Sequence, residues 1–165
     1  MATITLRGTE IQTSGDLPAP GTPAPDFSLV ASDLSELTLA SFAGQNVILN
    51  IYPSIDTPTC AQSTRVFNEQ AASMDNTAVV CVSADLPFAQ SRFCGAEGLE
   101  NVSTGSTFRS GFALDYGVQM TDGPLQGLTA RAVVVINSEG HVVHSELVPE
   151  IAQEPDYEAA KASLG

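Results

Sequence analysis

The stretch Val47-Ile48-Leu49-Asn50-Ile51-Tyr52-Pro53-Ser54-Ile55-Asp56-Thr57-Pro58-Thr59-Cys60 decides how the chain is read. Its first six residues form a nearly continuous apolar run of strand length, closed by Pro53, as expected of a buried strand. A polar turn follows. Thr57 suits a helix N-cap and Pro58 the first helical position, where a missing N–H costs nothing. Cys60 then falls at the third helical residue, over unpaired backbone N–H groups and the positive end of the helix dipole. That setting favours the thiolate, the form of cysteine that reacts. A small residue on a buried helix face would occupy the same position, so position alone leaves both readings of Cys60 open.

Beyond this stretch, Cys60, Thr64, Phe67, Ala71 and Met74 recur at spacings of four and three, which predicts a helix running to about Asp75. Residues 78–83 (AVVCVS) predict a second buried strand. Pro87 opens a short helix over residues 88–94, with Gly95 as its C-cap. Residues 108–116 predict another helix, followed by a Gly-rich loop. Residues 132–136 (AVVVI) read as a third buried strand, turning through Asn137-Ser138-Glu139-Gly140 into a strand over 141–148. A last helix is expected from Pro155-Asp156 to Leu164.

Upstream, Ile4, Leu6 and Ile11 alternate with polar residues around Gly8, predicting an N-terminal β-hairpin. Residues 17–25 (LPAPGTPAP) read as an extended connector, and 27–30 and 37–39 as short strands. The order predicts an α/β fold of the thioredoxin-like kind, a central mixed sheet flanked by helices. The expectation is one domain over residues 1–165, with 1–16 as a hairpin extension.

Nineteen acidic residues against six basic ones give a net charge of −13. Such a chain offers no footprint for phosphate backbones or anionic lipid, so neither nucleic acid nor membrane is an expected partner. No apolar run approaches the ~20 residues of a membrane span. The start, MATITLRGTE, lacks a basic segment followed by an apolar one, so the expected location is the cytoplasm. Three cysteines, Cys60, Cys81 and Cys94, with no Cys-x-x-Cys, argue against both a disulfide-stapled fold and a zinc knuckle. Cys81, between Val80 and Val82, reads as core filler. His141 and His144 lie three apart in a predicted strand and so face opposite sides, a poor metal pair. Neither a metal nor another cofactor is expected.

Pro53-x-x-x-Thr57-x-x-Cys60 matches the active-site signature of peroxiredoxins. Together with SADLPFAQSRFC over residues 83–94 and GLTARAVVVI around Arg131, it resembles the bacterial thiol peroxidase subfamily, of the atypical two-cysteine type. The resemblance spans essentially the whole chain. It implies a thioredoxin-dependent peroxidase of antioxidant defence that reduces organic hydroperoxides and hydrogen peroxide. Cys60 would be the peroxidatic cysteine, with Pro53 shielding its thiolate, Thr57 orienting the peroxide and Arg131 polarising it. By position alone, Arg131 reads as a solvated strand-end charge, and Cys94 either as a helix-end cysteine with no role or as an accessible, movable thiol. The resemblance instead makes Cys94 the resolving cysteine, closing an intramolecular disulfide around a ring of roughly 35 residues. Two helix ends are then expected to loosen so that the sulfurs can meet. Arg92, beside Phe93-Cys94, reads as a surface residue that could touch a reductant. The resemblance also implies a homodimer.

Ionisation alone cannot make such an enzyme. A thiol of pKa ~8.5 is about 3% ionised at pH 7 and one of pKa ~6 about 90%, a gain of roughly thirtyfold. Enzymatic accelerations are ~10⁶ or more, so the rest must come from groups that position substrate and stabilise charge.

Overall fold

The computed structural model describes residues 1–164. Seven strands form one mixed sheet: β3 (Ser28–Val30), β4 (Glu36–Thr38), β5 (Asn46–Ile51), β6 (Thr77–Ser83), β7 (Ser103–Ser106), β8 (Ala132–Ile136) and β9 (Val142–Leu147), in the order β4-β3-β7-β6-β5-β8-β9. The predicted hairpin is present as β1 (Thr3–Leu6) and β2 (Thr9–Gln12), a separate two-stranded sheet. β5 runs parallel to β6 and antiparallel to β8, so the strand leading into Pro53 is central.

Centrality explains the unbroken apolar runs. Along β5, Val47, Leu49 and Ile51 face one core with Val80, Val82 and Val134, while Ile48 and Tyr52 face the other with Val79, Cys81 and Val135. The second core is covered by α1 (Pro58–Ala71) and α4 (Tyr157–Ala162), which meet edge-to-face through Phe67 and Tyr157, ring centroids 5.1 Å apart. The first is covered by the hairpin, through Ile4 and Ile11, and by Phe112 and Tyr116 around the single-turn α3 (Phe112–Asp115). With both faces occupied, neither side of these strands can be polar without a partner.

The boundaries differ from expectation in four places. α1 stops at Ala71, short of Asp75, because its end tightens into i→i+3 bonds (Ser73 to Gln70, Met74 to Ala71) before Asn76 turns left-handed. The helix carrying Cys94, α2 (Pro87–Glu97), runs through Gly95 and is capped by Gly98 at φ 68°, so Cys94 lies a full turn inside its end. The helix expected over 108–116 shrinks to the one turn of α3. β7, sequence STGS, carries no apolar signal, and is a strand because β6 and β3 pair with it on both sides.

Gly117 shows how tightly the hairpin side is closed. It adopts φ +68°, and a Cβ there would meet the backbone N of Asp16 at 2.6 Å. Gly117→Ala is expected to lower stability by about 2 kcal/mol or more and Tm by several degrees in calorimetry. An unchanged Tm would mean that the connector moves away at no cost.

Candidate active site

Tyr52 ends the β5 run with its N–H donated to the Val82 carbonyl and its own carbonyl accepting from Thr129 Oγ1 at 2.6 Å. The chain leaves the sheet there through the buried Pro53 and turns over Ser54 to Thr57 into α1. Pro58 stands at the first helical position and Cys60 at the third, as the sequence predicts. Thr57 is the N-cap residue in position only. Its hydroxyl does not cap the helix but donates back to the Ser54 carbonyl at 3.0 Å.

Cys60 is wholly buried. Its carbonyl accepts from Ser63 Oγ at 2.9 Å and Thr64 Oγ1 at 3.0 Å, which pins the first turn of the helix. Facing its sulfur is Arg131, immediately before β8 and only 1% exposed. The guanidinium Nη2 donates to Cys60 Sγ at 3.2 Å, and Nε donates to the Ile151 carbonyl at 2.7 Å. Nη1 has no partner among the described residues. A buried donor without an acceptor is costly, and here it belongs to a residue lining a cavity of about 360 Å³. Pro53 and Thr57 line the same cavity. Pro53, Thr57 and Cys60, neighbours in sequence, thus converge with the distant Arg131, and the strand-end arginine is not solvated.

Cys94 stands apart from this group. It is half-buried and lines a different cavity, of about 510 Å³, between α2 and the β3–β4 edge. All three cysteines are free. Burial raises the Cys94 thiol, and pushes Cys81, inside β6, up to about 12, which fits an unreactive core position. Arg92 is exposed, as expected, and pairs with Asp56 of the Cys60 loop at 2.8 Å.

Asp85 is the residue that sequence reading passed over. Its carboxylate accepts from Ser54 Oγ at 2.7 Å, the Ile55 N–H at 2.7 Å and Ser83 Oγ at 2.6 Å. Gln90 of α2 donates to the same Ser83 hydroxyl at 3.1 Å. One side chain therefore ties the loop before Cys60 to the helix bearing Cys94. Its sequence signals were an acidic residue two positions past a buried strand and a place in the motif SADLPFAQSRFC.

The family model described as Redoxin matches residues 19–161. The thiol peroxidases of Mycobacterium bovis and Mycobacterium tuberculosis are each 60% identical to the chain over 165 residues, covering 100% of it and 99% of their own length. The chain belongs to the thiol peroxidase family of peroxiredoxins. A crystal structure of a peroxiredoxin-like protein from Aquifex aeolicus superposes with a TM-score of 0.93 at 38% identity, covering 99% of this chain and 96% of that one. The thiol peroxidase from Chromobacterium violaceum, at 24% identity and a TM-score of 0.90 over 97% and 93% of the two chains, shares the fold. The thioredoxin-like architecture expected from the order of elements is thereby established.

Asp85→Ala would strip three donors of their acceptor and cost about 2–3 kcal/mol. Hydrogen exchange should show the Ile55 amide losing protection while the β5 amides keep theirs. If Ile55 exchanges as in the wild type, Asp85 does not hold the loop.

Proposed function

We propose that the protein is a thioredoxin-dependent peroxidase in which Cys60 reduces hydrogen peroxide and organic hydroperoxides. The observation that carries this reading is the buried guanidinium of Arg131, with one nitrogen on Cys60 Sγ and another unpartnered beside a cavity. The thiolate attacks the terminal peroxide oxygen; an S–O bond forms, the O–O bond breaks, and the leaving oxygen takes a proton as alcohol or water. Cys60 becomes a sulfenic acid. Negative charge passes from sulfur to the leaving oxygen, and Arg131 spans both positions with parallel N–H donors. The Thr57 proton is committed to the Ser54 carbonyl, so its oxygen is free to accept the O–H of the hydroperoxide. Pro53, buried beside the sulfur's helix, keeps bulk water away.

Cys94 then attacks the sulfenic sulfur, forming a disulfide and releasing water, and a reduced thioredoxin restores both thiols by exchange. The two cysteines line no common cavity, so this step requires local unfolding. α2 is suited to it: only Pro87 and Gln90 of its eleven residues are fully buried. Its ion pairs to α1 and the loop, Arg65–Glu97 and Arg92–Asp56, lie at the surface and are worth about 0–1 kcal/mol each. Unwinding would also free the Cys94 thiol from the burial that keeps it protonated. Among the described residues no helix is long and apolar enough to cross a membrane. We place the protein in the cytoplasm, where reduced thioredoxin is available.

A peroxide-consumption assay with thioredoxin and its reductase tests the cycle. Cys60→Ser should abolish turnover, and persistence of turnover would overturn the reading. Arg131→Met should lower kcat/KM for peroxide by about 10²–10³-fold. Cys94→Ser should still oxidise Cys60 once but recycle slowly. A homodimer is supported by the large apolar side chains left exposed, Leu86 and Phe88 (67% exposed) at the start of α2 and Phe108 after β7. Sedimentation should then give a dimer that Phe88→Glu shifts toward monomer; a wild-type monomer would remove this element.

A further inference from the structure

The two carbonyls that follow Glu150 reach Cys60 from different sides. The Ile151 carbonyl accepts from Arg131 Nε at 2.7 Å, and the Ala152 carbonyl accepts from Oγ1 of Thr59, the α1 residue just before Cys60, at 3.1 Å. This segment lies between β9 and α4 and belongs to neither. The N-terminal hairpin sets its backbone: the Thr5 N–H donates to the Pro149 carbonyl at 2.8 Å and the Ile151 N–H to the Thr5 carbonyl at 2.9 Å.

The Glu150 side chain closes the same joint. Its Oε1 accepts from Thr5 Oγ1 and the Gly8 N–H, each at 3.0 Å, and its Oε2 accepts from the Ala152 N–H at 2.9 Å. That N–H and the Ile151 carbonyl belong to one planar trans peptide and point in opposite directions, so an anchor on one aims the other. A single peptide therefore stands between the Glu150 carboxylate and Arg131 Nε, with a charged group bonded at each end. The bonds to Glu150, led by that from Ala152, keep its carboxyl at about 2, so it is an ionised acceptor at every pH at which a thiol reacts. We infer that Glu150 is a positioning residue for the reacting thiol: by gripping the Ile151–Ala152 peptide it holds the Arg131 guanidinium on Cys60 Sγ. The inference deepens the peroxidase reading and rests on the Arg131–Cys60 pair of that site.

Acting through space, a carboxylate would do the opposite. Negative charge disfavours a thiolate, so its removal alone would let Cys60 react at lower pH. Loss of the grip frees the guanidinium from the sulfur and moves the reaction to higher pH. The sign separates the two. Glu150→Gln keeps the size of the side chain, but its one carbonyl oxygen cannot serve both the hairpin and Ala152.

The test follows alkylation of Cys60 by iodoacetamide against pH, read by mass spectrometry at the peptide carrying Cys60, in the wild type, Glu150→Gln, Arg131→Met and the double variant. In Glu150→Gln the profile should move up by about 0.5–1 pH unit. Its kcat/KM for hydrogen peroxide should fall about threefold to tenfold at pH 7. With Arg131→Met already present, the same substitution should move neither, because its effect passes through the guanidinium. A profile that stays in place or moves down in Glu150→Gln overturns the inference. An equal upward shift in the absence of Arg131 would reduce Glu150 to a structural residue and overturn it as well. Should Glu150→Gln fail to fold, Thr5→Val, which takes one donor from Oε1, serves in its place; a smaller rise is expected, and no rise overturns the inference. A wild type that turns over no peroxide, with the profile still moving up in Glu150→Gln, would instead overturn the peroxidase reading and leave the role of Glu150 standing.

Discussion

Arg131 carries a full positive charge at 1% exposure, and the fold around the site is arranged to make that tolerable. Placing a charge out of water costs several kcal/mol unless partners replace the hydration. Two partners are in place, the Ile151 carbonyl on Nε and the Cys60 sulfur on Nη2. The carbonyl fixes the plane of the guanidinium and the sulfur receives its charge. The arrangement is reciprocal: the sulfur gives the buried cation an acceptor, and the cation stands where it favours negative charge on the sulfur. β8 brings Arg131 beside β5 because the two strands pair antiparallel, with Ile51 opposite Ala132. The apolar register of a central sheet thus places a basic residue next to a thiol 71 positions away.

The two cysteines lie in contrasting settings. Cys60 is locked: its carbonyl is doubly bonded, its helix packs by Phe67 on Tyr157, and its loop hangs on Asp85. Cys94 sits on a helix with little apolar anchorage, one turn from a glycine cap. The surroundings of Cys60 are preorganised, while Cys94 lies on an element held less firmly to the core.

Much of this was legible in the chain. The strand-to-helix stretch ending at Cys60 was readable because proline, threonine and an unbroken apolar run act locally, through backbone geometry and burial. β8 was readable for the same reason. β7 was not, since a Ser-Thr-Gly-Ser strand exists only through its neighbours. The α2 cap was misplaced because two glycines, Gly95 and Gly98, competed for it and only tertiary packing chose between them. Arg131 shows the limit best. Its distance from solvent could not be read from a strand-end position, and only resemblance to a family pointed to it. Asp85 and Glu150 act across the fold, on donors supplied by distant segments, and left no periodic trace.

The N-terminal hairpin has a bearing on biosynthesis. Thr5 exchanges hydrogen bonds with Pro149 and Ile151, and Ile151 is the residue whose carbonyl holds the Arg131 side chain. The hairpin therefore finds these partners only after the more than 140 residues between them have been synthesised. Until then Arg131 lacks its acceptor, and Cys60 emerges ahead of the cation that completes it. Cys60 is thus synthesised as a thiol without its cationic neighbour, and the buried pair is complete only once the Ile151 segment has joined the hairpin.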